Sequence, residues 1–273
     1  MRRALPAIAL NAALAIGALL TLAPLAWMVA ASLMPSGQAN NYPPPLWPTH
    51  PTLDHYVALF TRMNLARALG NSLFVSILAT LLSLTTNSMA GYAFAKLQFK
   101  GRERAFGILM MALVIPGQVS MLPLFLLLKS LGLVNTMAGV IVPFMASIFG
   151  IFMVRQYALS IPDELLDAAR VDGATELRIF TTIVLPVLKP ILATLAVFTF
   201  LSAWNDFLWP LIILSDESRY TLPVALASLS GEHVQDTELM MAGSVLTVLP
   251  VLAVFLFLQR AYLRGVMMGS VKG

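Results

Sequence analysis

The 273-residue sequence contains no cysteine and few charged residues, and both absences narrow the class of protein. Without cysteine, the chain has neither disulfide bonds nor thiolate metal sites. Charged residues make up 11% of the chain, against about a quarter in an average soluble domain. Hydrophobic residues make up 59%. This balance indicates a membrane protein.

Signatures of catalysis and of nucleic-acid binding are also missing from the sequence. It contains no G-x-x-x-x-G-K-[ST] phosphate loop, no G-x-S-x-G and no H-E-x-x-H. Its lysines and arginines do not form runs interleaved with aromatics, as nucleic-acid-binding surfaces do. The histidines His50, His55 and His233 lack metal-ligand spacing, and we expect them at the surface of loops. We therefore predict no catalytic residue, no metal site and no nucleic-acid partner.

Long hydrophobic runs occupy most of the chain, each near the ~20 residues needed to cross a bilayer. The N-terminal run is longer than the roughly 7–15 residues of a cleaved signal, so we expect it to be a retained first span. The sequence predicts an all-α membrane protein with a single domain over residues 1–273. Its six transmembrane helices are predicted at 6–30, 68–94, 105–128, 137–157, 190–214 and 239–260.

Lysine and arginine are distributed unevenly among the segments that flank these runs. Successive flanking segments lie on opposite sides of the membrane. Thirteen of the 17 lysines and arginines fall in the segments of one side, which includes both chain ends. Positive charge marks the cytoplasmic side of a membrane protein, so both termini and the loop at 158–189 are predicted to be cytoplasmic. Four tryptophans then lie near the outer interface, and we interpret them as an aromatic belt rather than as ligand-binding residues. They are Trp27, Trp47, Trp204 and Trp209.

Residues 161–186, reading IPDELLDAARVDGATELRIFTTIVLP, form a charged segment between two hydrophobic runs. Ser160 and Asp163 are placed as a capping pair for a helix. Gly173 permits the left-handed conformation that ends a helix, and Thr175 can cap the next one. The pattern predicts a helix, a sharp turn and a second helix.

Two small side chains on the first of these helices are flanked by charged ones. Ala168 and Ala169 would let a partner approach the backbone closely, and the flanking Asp167, Arg170 and Asp172 would fix its register. Two interpretations follow from the chemistry alone. The helix docks into a groove of another protein, or the loop lies as an ordinary amphipathic segment on the bilayer surface.

This segment resembles the cytoplasmic loop motif of permease subunits from ATP-binding-cassette (ABC) importers, E-A-A-x-x-x-G followed by I-x-L-P. The residues 167–169 read D-A-A, with aspartate in place of the first glutamate. Gly173 follows at the family spacing, and residues 183–186 read I-V-L-P. Further motifs are similar to those of the smaller permease of maltose-type carbohydrate importers. They are N-S at 71–72, A-G-Y-A-F-A at 90–95, W-N-D-F-L-W-P at 204–210 and Q-R-A-Y-L-R-G at 259–265.

The resemblance implies a permease subunit in the bacterial inner membrane that imports a carbohydrate by alternating access. It implies four kinds of partner: a homologous second permease, an ATPase dimer, an extracytoplasmic solute-binding protein and the lipid bilayer. ATP and Mg²⁺ would be bound by the ATPase, and no cofactor by this chain. Glycerol-3-phosphate and polyol permeases share these motifs and remain an alternative. An ion-driven transporter usually shows paired repeats, which this sequence lacks. A further alternative is a membrane-anchored regulator that binds a cytoplasmic protein without transporting a solute.

The resemblance also assigns residues. It places the ATPase-coupling contacts at Asp163, Glu164, Asp167, Ala168, Ala169, Asp172, Gly173 and Ala174. Candidates for a substrate pathway are Asn87, Gln118, Asn205 and Asp206, although polar side chains within spans also bond between helices. Asp206 would accept hydrogen bonds from a sugar or help to close an outer gate, or else cap a helix. The segment 116–118 (P-G-Q) is a candidate hinge, the alternative being a kink that serves packing.

Overall fold

A computed structural model describes residues 4–61, 64–232 and 236–268, and the regular structure in these ranges is helical. The α-helices in chain order are α1 (Ala4–Ser32), α2 (Asp54–Thr61), α3 (Leu65–Lys96), α4 (Arg102–Ala112), α5 (Gly117–Ser130), α6 (Met137–Ile141), α7 (Ile148–Ala158), α8 (Asp163–Val171), α9 (Glu176–Ile179), α10 (Leu185–Asn205), α11 (Leu208–Ile213), α12 (Leu222–Glu232) and α13 (Thr237–Met268). Two 3₁₀ turns, Val142–Phe144 and Glu217–Arg219, and a π-helical segment, Phe180–Val184, complete the regular elements.

Within the described residues, five helical stretches are long and apolar enough to cross a membrane. They are Leu10–Ser32, Leu65–Lys96, Met137–Ala158, Glu176–Asn205 and Thr237–Phe257. The pair α4 and α5 makes a sixth when it is counted as one bent span. The chain is therefore an all-α, multi-pass membrane protein, as the sequence predicts, with α8 between the fourth and fifth spans.

The third predicted span, 105–128, is broken rather than continuous. Its two helices, α4 and α5, are bent by 109°. Pro116 lies at the break with an extended backbone (φ −59°, ψ 134°). Proline disfavours the helical conformation of the residue before it, which explains why α4 does not run on into α5.

The fifth predicted span, 190–214, begins and ends elsewhere than expected. The helical path starts at Glu176 and passes through the π-helical segment into α10, which ends at Asn205. Asp206 then leaves the helix with φ −70° and ψ 119°. A helix continued through Pro210 would bring the proline ring against the carbonyl of residue 206, so the chain restarts as α11.

The chain divides into two compact units, Met1–Ala66 with Ala225–Pro250 and Arg67–Val224 with Val251–Gly273. In the first unit, side chains hold the proline-rich segment that follows α1. The Trp27 indole donates to the Pro45 carbonyl at 3.0 Å, and the Ala39 amide donates to Glu238 Oε1 at 2.7 Å. His55 is buried, with its Nε2 2.9 Å from the Met34 carbonyl oxygen. These contacts fix the segment to α1, α2 and α13.

The expected surface position is therefore wrong for His55, because α2 turns this side chain inward. His50 is exposed as expected, and His233 lies outside the described residues.

The aromatic-belt interpretation is wrong for two of the four tryptophans, which lie in the core of the second unit. Trp204 is fully buried and stacks on Phe200 with ring centroids 5.9 Å apart. Trp209 is also buried, and its indole N–H donates to the Gly139 carbonyl at 3.1 Å. The end of α10 and the start of α11 thus pack against protein.

Candidate coupling site

A separate hydrophobic core in the second unit lies beneath the loop at 158–189. Side chains from α3, α7, α8, α9 and α10 meet in it, among them Tyr92, Val154, Leu166, Ile179 and Leu188. All five are at most 3% exposed. The loop is therefore packed onto three membrane-spanning segments and is not a free linker.

The beginning of α8 is fixed by a lysine from another helix. Lys96, at the end of α3, donates to the Ile161 carbonyl at 2.6 Å and to Asp163 Oδ1 at 2.7 Å. This ion pair lowers the pKa of the Asp163 carboxyl, first through the hydrogen bond from Lys96 and then through its charge. The expected Ser160–Asp163 capping pair is wrong, because Asp163 bonds to Lys96 and the Ser160 hydroxyl donates to the Tyr157 carbonyl.

The end of α8 is a Schellman motif built on Gly173. The Gly173 amide donates to the Arg170 carbonyl and the Ala174 amide to the Ala169 carbonyl, each at 3.0 Å. Gly173 has φ +79°, the left-handed conformation that the sequence predicts. Thr175 then caps α9, since its hydroxyl accepts from the Arg178 amide at 3.3 Å.

An arginine bridges the two helices across this turn. The Arg170 guanidinium donates to Asp167 Oδ1 and to Glu176 Oε1, both at 2.7 Å. These hydrogen bonds, first that to Glu176, raise the pKa of Arg170 above its ordinary value. Tyr92 of α3 donates to the second Glu176 oxygen at 2.8 Å. Asp167 and Arg170, expected to set the register of a partner, thus also fix the loop internally.

The α8–α9 loop, which is α8, the turn after it and α9 (residues 163–179), has a buried and an exposed face. Leu166 is buried, and Ala169 and Ala174 are half-buried against the core. Ala168 is exposed, so the two adjacent alanines lie on different faces, and only Ala168 faces outward. The other predicted coupling residues are exposed, namely Asp163, Glu164, Asp167, Asp172 and Gly173. Large apolar side chains accompany them at Leu165 (47% exposed), Val171 (87%) and Leu177 (65%).

The candidate pathway residues lie in different elements. Asn87 is fully buried in α3, donating to Ser83 Oγ at 2.7 Å and accepting from the Ser147 amide at 3.0 Å. Gln118 is exposed at the start of α5. Asn205 donates to the carbonyl of Leu201 in its own helix at 2.9 Å. Asp206 accepts from the Trp209 amide at 3.4 Å, at the start of α11.

Three residues that hold the loop have no assigned role in the sequence interpretation: Tyr92, Lys96 and Glu176. Tyr92 belongs to the A-G-Y-A-F-A motif, whose meaning the sequence leaves open. The contacts join residues 84 and 67 positions apart, which a local pattern does not reveal. The other motif in α3, at 71–72, binds the 218–222 turn in a similar way: the Asn71 amide donates to the Tyr220 carbonyl and Ser72 accepts from the Leu222 amide.

The described residues contain five membrane-spanning stretches, or six when α4 and α5 are counted as one bent span, and an ordered helix–turn–helix loop before α10. This arrangement is typical of a membrane permease. The chain belongs to the family described as binding-protein-dependent transport system inner membrane components, whose model matches residues 87–267. It is thus a multi-pass inner-membrane transport subunit.

Individual relatives match along nearly the whole chain. The arabinooligosaccharides transport system permease protein AraQ of Halalkalibacterium halodurans is 42% identical, covering 92% of this chain and 91% of the relative. The lactose transport system permease protein LacG of Rhizobium radiobacter is 34% identical, covering 100% and 98%. A crystal structure of a bacterial ABC transporter that imports the acidic polysaccharide alginate superposes with a TM-score of 0.82 at 24% identity, covering 94% of this chain and 96% of that one. This last likeness concerns the fold.

Proposed function

We propose that this chain is the permease subunit of an ATP-driven, binding-protein-dependent sugar importer, and that it moves the sugar into the cytoplasm by alternating access. Its likeness to AraQ and LacG, whose names specify arabinooligosaccharides and lactose, supports a sugar as the transported solute. The family description supports an extracytoplasmic solute-binding protein as partner. A homologous second permease and two copies of a separate ATPase complete the proposed complex.

The exposed face of the α8–α9 loop is the observation that carries the proposed coupling to an ATPase. Val171 and Leu177 are among the most exposed apolar residues of the loop. Exposed apolar side chains that form a patch mark interaction sites. The exposed charged side chains of the loop are mostly carboxylates, with five of them (Asp163, Glu164, Asp167, Asp172 and Glu176) against one exposed arginine, Arg178. Helices that lie on a bilayer surface are instead rich in lysine and arginine. The acidic rim therefore favours a protein groove over the lipid surface as the occupant.

The buried face explains how docking would be converted into transport. The loop packs against α3, α7 and α10, and polar contacts join it to α3. If the ATPase groove that holds the loop is displaced, these helices therefore move with it. A ligand shifts a conformational equilibrium only through different contacts in the two states. ATP binding and hydrolysis in the ATPase would supply that difference, with ATP and Mg²⁺ bound there and no cofactor bound by this chain. In this arrangement, the loop and both termini are cytoplasmic.

Reconstitution of the complex tests the proposal. The tagged chain is co-expressed with a candidate ATPase, second permease and binding protein from the same organism. The purified complex is inserted into nanodiscs for the ATPase assay and into proteoliposomes for the uptake assay. The ATPase should co-purify, and its activity should rise with binding protein loaded with arabinooligosaccharide or lactose. Stimulation by glycerol-3-phosphate alone would assign the chain to the alternative substrate. Uptake that needs an ion gradient and no ATP would contradict the proposal.

Two substitutions that introduce an aspartate, one on the proposed docking surface and one elsewhere, provide a matched comparison. Val171→Asp should prevent co-purification of the ATPase, because burying an unpaired carboxylate in an apolar interface is costly. Leu53→Asp introduces the same group at a position that is 63% exposed in the other unit, before α2. The ATPase should co-purify with this variant as it does with the wild type.

A further inference from the structure

The C-terminal end of α3 is attached to the α8–α9 loop at two separate points. Tyr92 contacts α9, and Lys96 contacts the beginning of α8. The two residues are one helical turn apart on the same face of α3. Neither lies on the exposed face of the loop that would meet the ATPase.

The Tyr92 attachment starts from a buried ring and ends on an exposed charged group. Its ring is 3% exposed and lies 5.7 Å from the ring of Phe180, and its hydroxyl donates to Glu176 Oε2 at 2.8 Å. A hydrogen bond to a carboxylate is stronger than one between neutral groups. Because Glu176 also binds Arg170, and Arg170 binds Asp167, this attachment reaches α8 as well as α9.

The Lys96 attachment closes the other end of α8. The side chain is only 6% exposed although it carries a charge. Its ammonium group is surrounded by the carbonyls of Leu159 and Ile161, at 3.5 and 2.6 Å, and by Asp163 Oδ1 at 2.7 Å. The last turn before α8 and the first residue of α8 are thereby held to the end of α3.

The loop is also joined to α10 by the continuous backbone. This connection runs through the π-helical segment Phe180–Val184. There the Thr182 hydroxyl bonds back to the Arg178 carbonyl at 2.6 Å. A π-helical turn is a rare, wide form of helix that is found mostly as a single turn inside an α-helix. A turn of this kind can return to α-helical geometry, which would rotate α10 relative to α9.

We propose that Tyr92 and Lys96 are positioning residues that make the α8–α9 loop and the end of α3 move as one body. On this view, which rests on the proposed coupling to an ATPase, a displacement of the loop reaches α3 directly through these side chains. It reaches α10 through the adjustable π-helical turn. The second span is then a driven element of the transport cycle in its own right.

Distance measurements test this connection without interference from native thiols, because the chain contains no cysteine. Spin labels are attached to cysteines introduced at Gln98 and Arg178, two exposed positions beyond α3 and in α9. The distance distribution should be narrow in the chain alone. In the complex it should be the same without nucleotide and in the vanadate-trapped state. A shift of more than about 5 Å, one helical turn, between the two states would overturn the proposal.

Variants that remove only the attaching groups complete the test. Tyr92→Phe keeps the ring packing, and Lys96→Met keeps the aliphatic stem. Each should broaden the distance distribution and lower the sugar transported per ATP hydrolysed by about tenfold or more, about tenfold being the lower end for a lost hydrogen bond to a charged group. Tyr42→Phe makes the same chemical change at a side chain that is 98% exposed, and it should alter neither quantity. Wild-type distances and coupling in Tyr92→Phe and Lys96→Met would refute the inference.

The two proposals fail in distinguishable ways. If no ATPase associates with the wild-type chain, the proposed function fails, and the comparison of distance distributions in the chain alone still decides whether the loop and α3 are one body. If the wild type is coupled to an ATPase and the two variants match it, only the inference about α3 fails.

Discussion

Gly91 of α3 lies against Val154 of α7 with no room for a side chain. A Cβ at Gly91 would stand 2.5 Å from Val154 Cγ1 and 3.0 Å from the backbone nitrogen of Arg155. The close approach also lets Arg155 Nε donate to the Phe94 carbonyl at 3.2 Å. Because α8 follows α7 after a short turn, this contact is what brings the loop at 158–189 beside the end of α3.

Replacing this glycine with alanine should therefore destabilise the protein. Overpacking of this kind typically costs about 1–3 kcal/mol. Gly70 lies in the same helix with nothing within 4 Å of its Cβ position. Gly70→Ala should leave stability unchanged or raise it by up to about 1 kcal/mol, since alanine favours the helix. The midpoint of thermal unfolding in detergent compares the two variants, and equal shifts would contradict the described contact.

The turn after α8 predicts a difference between two substitutions of Gly173. A Cβ at this position meets nothing within 4 Å, so only the left-handed backbone constrains the residue. Gly173→Val should strain the backbone by about 1–3 kcal/mol and lower ATPase-coupled uptake. Gly173→Asn should retain most of the uptake, because asparagine is enriched in this conformation. Uptake assays in proteoliposomes measure the contrast, and equal uptake by the two variants would argue against a need for this turn.

The Lys96–Asp163 pair predicts a loss of stability in acid. Lys96 lowers the pKa of the folded-state carboxyl below its ordinary value of 3.8, so the unfolded chain binds the proton more tightly. The stabilisation is complete above the unfolded-state pKa and is lost as pH falls through the folded-state pKa. Asp163→Asn should thus lower the thermal midpoint at pH 6, and the difference from the wild type should shrink toward pH 3.

A neighbouring aspartate supplies the control for that experiment. Asp172 has no ion pair within the part of the chain that the structure describes. Asp172→Asn should shift the midpoint little at either pH. If Asp163→Asn shows the same small shift, the ion pair does not stabilise the loop.

Asn87 should contribute to stability because it joins two spans. Asn87→Ala removes the acceptor of the partly buried Ser147 amide, and an unsatisfied buried group costs up to about 1–3 kcal/mol. Asn205→Ala removes an exposed amide whose hydrogen bond, within the described residues, is to the Leu201 carbonyl of its own helix, so its thermal midpoint should stay near that of the wild type. Thermal unfolding in detergent measures both. A stable Asn87→Ala variant that has lost uptake would instead favour a place for Asn87 in the substrate pathway.

Much of the fold is predictable from the sequence because its determinants are local. Hydrophobic run length gives the spans, and Gly173 and Thr175 define the turn and cap that the structure contains. The residues at which the spans begin and end are harder to predict from local hydrophobicity. The break before α5 and the break at Asp206 depend on how prolines act on the preceding chain. Whether a tryptophan or histidine is buried depends on its neighbours in space, which is why the sequence prediction is wrong for Trp204 and His55.

The local structure of the candidate site can be predicted from the sequence, whereas the contacts that hold its buried face cannot. The charged and small residues of α8 stand together in the sequence, so the helix and the turn that ends it can be predicted from the sequence. The polar attachments to Tyr92 and Lys96 join distant positions and become visible only when α3 lies beside the loop. The same geometry assigns Ala169 to the core side and Ala168 to the exposed side, which adjacency alone does not decide.

Site-specific photocrosslinking at Val171 tests the central claim most directly, namely that the exposed face of α8 docks on an ATPase. A photoreactive phenylalanine is placed there and, as a control, at Trp47, which is 73% exposed in the other unit. After illumination of the assembled complex, the Val171 label should crosslink to the ATPase subunit, whereas the Trp47 label should not. Crosslinking of the Val171 label to lipid, with none to the ATPase, would contradict the account.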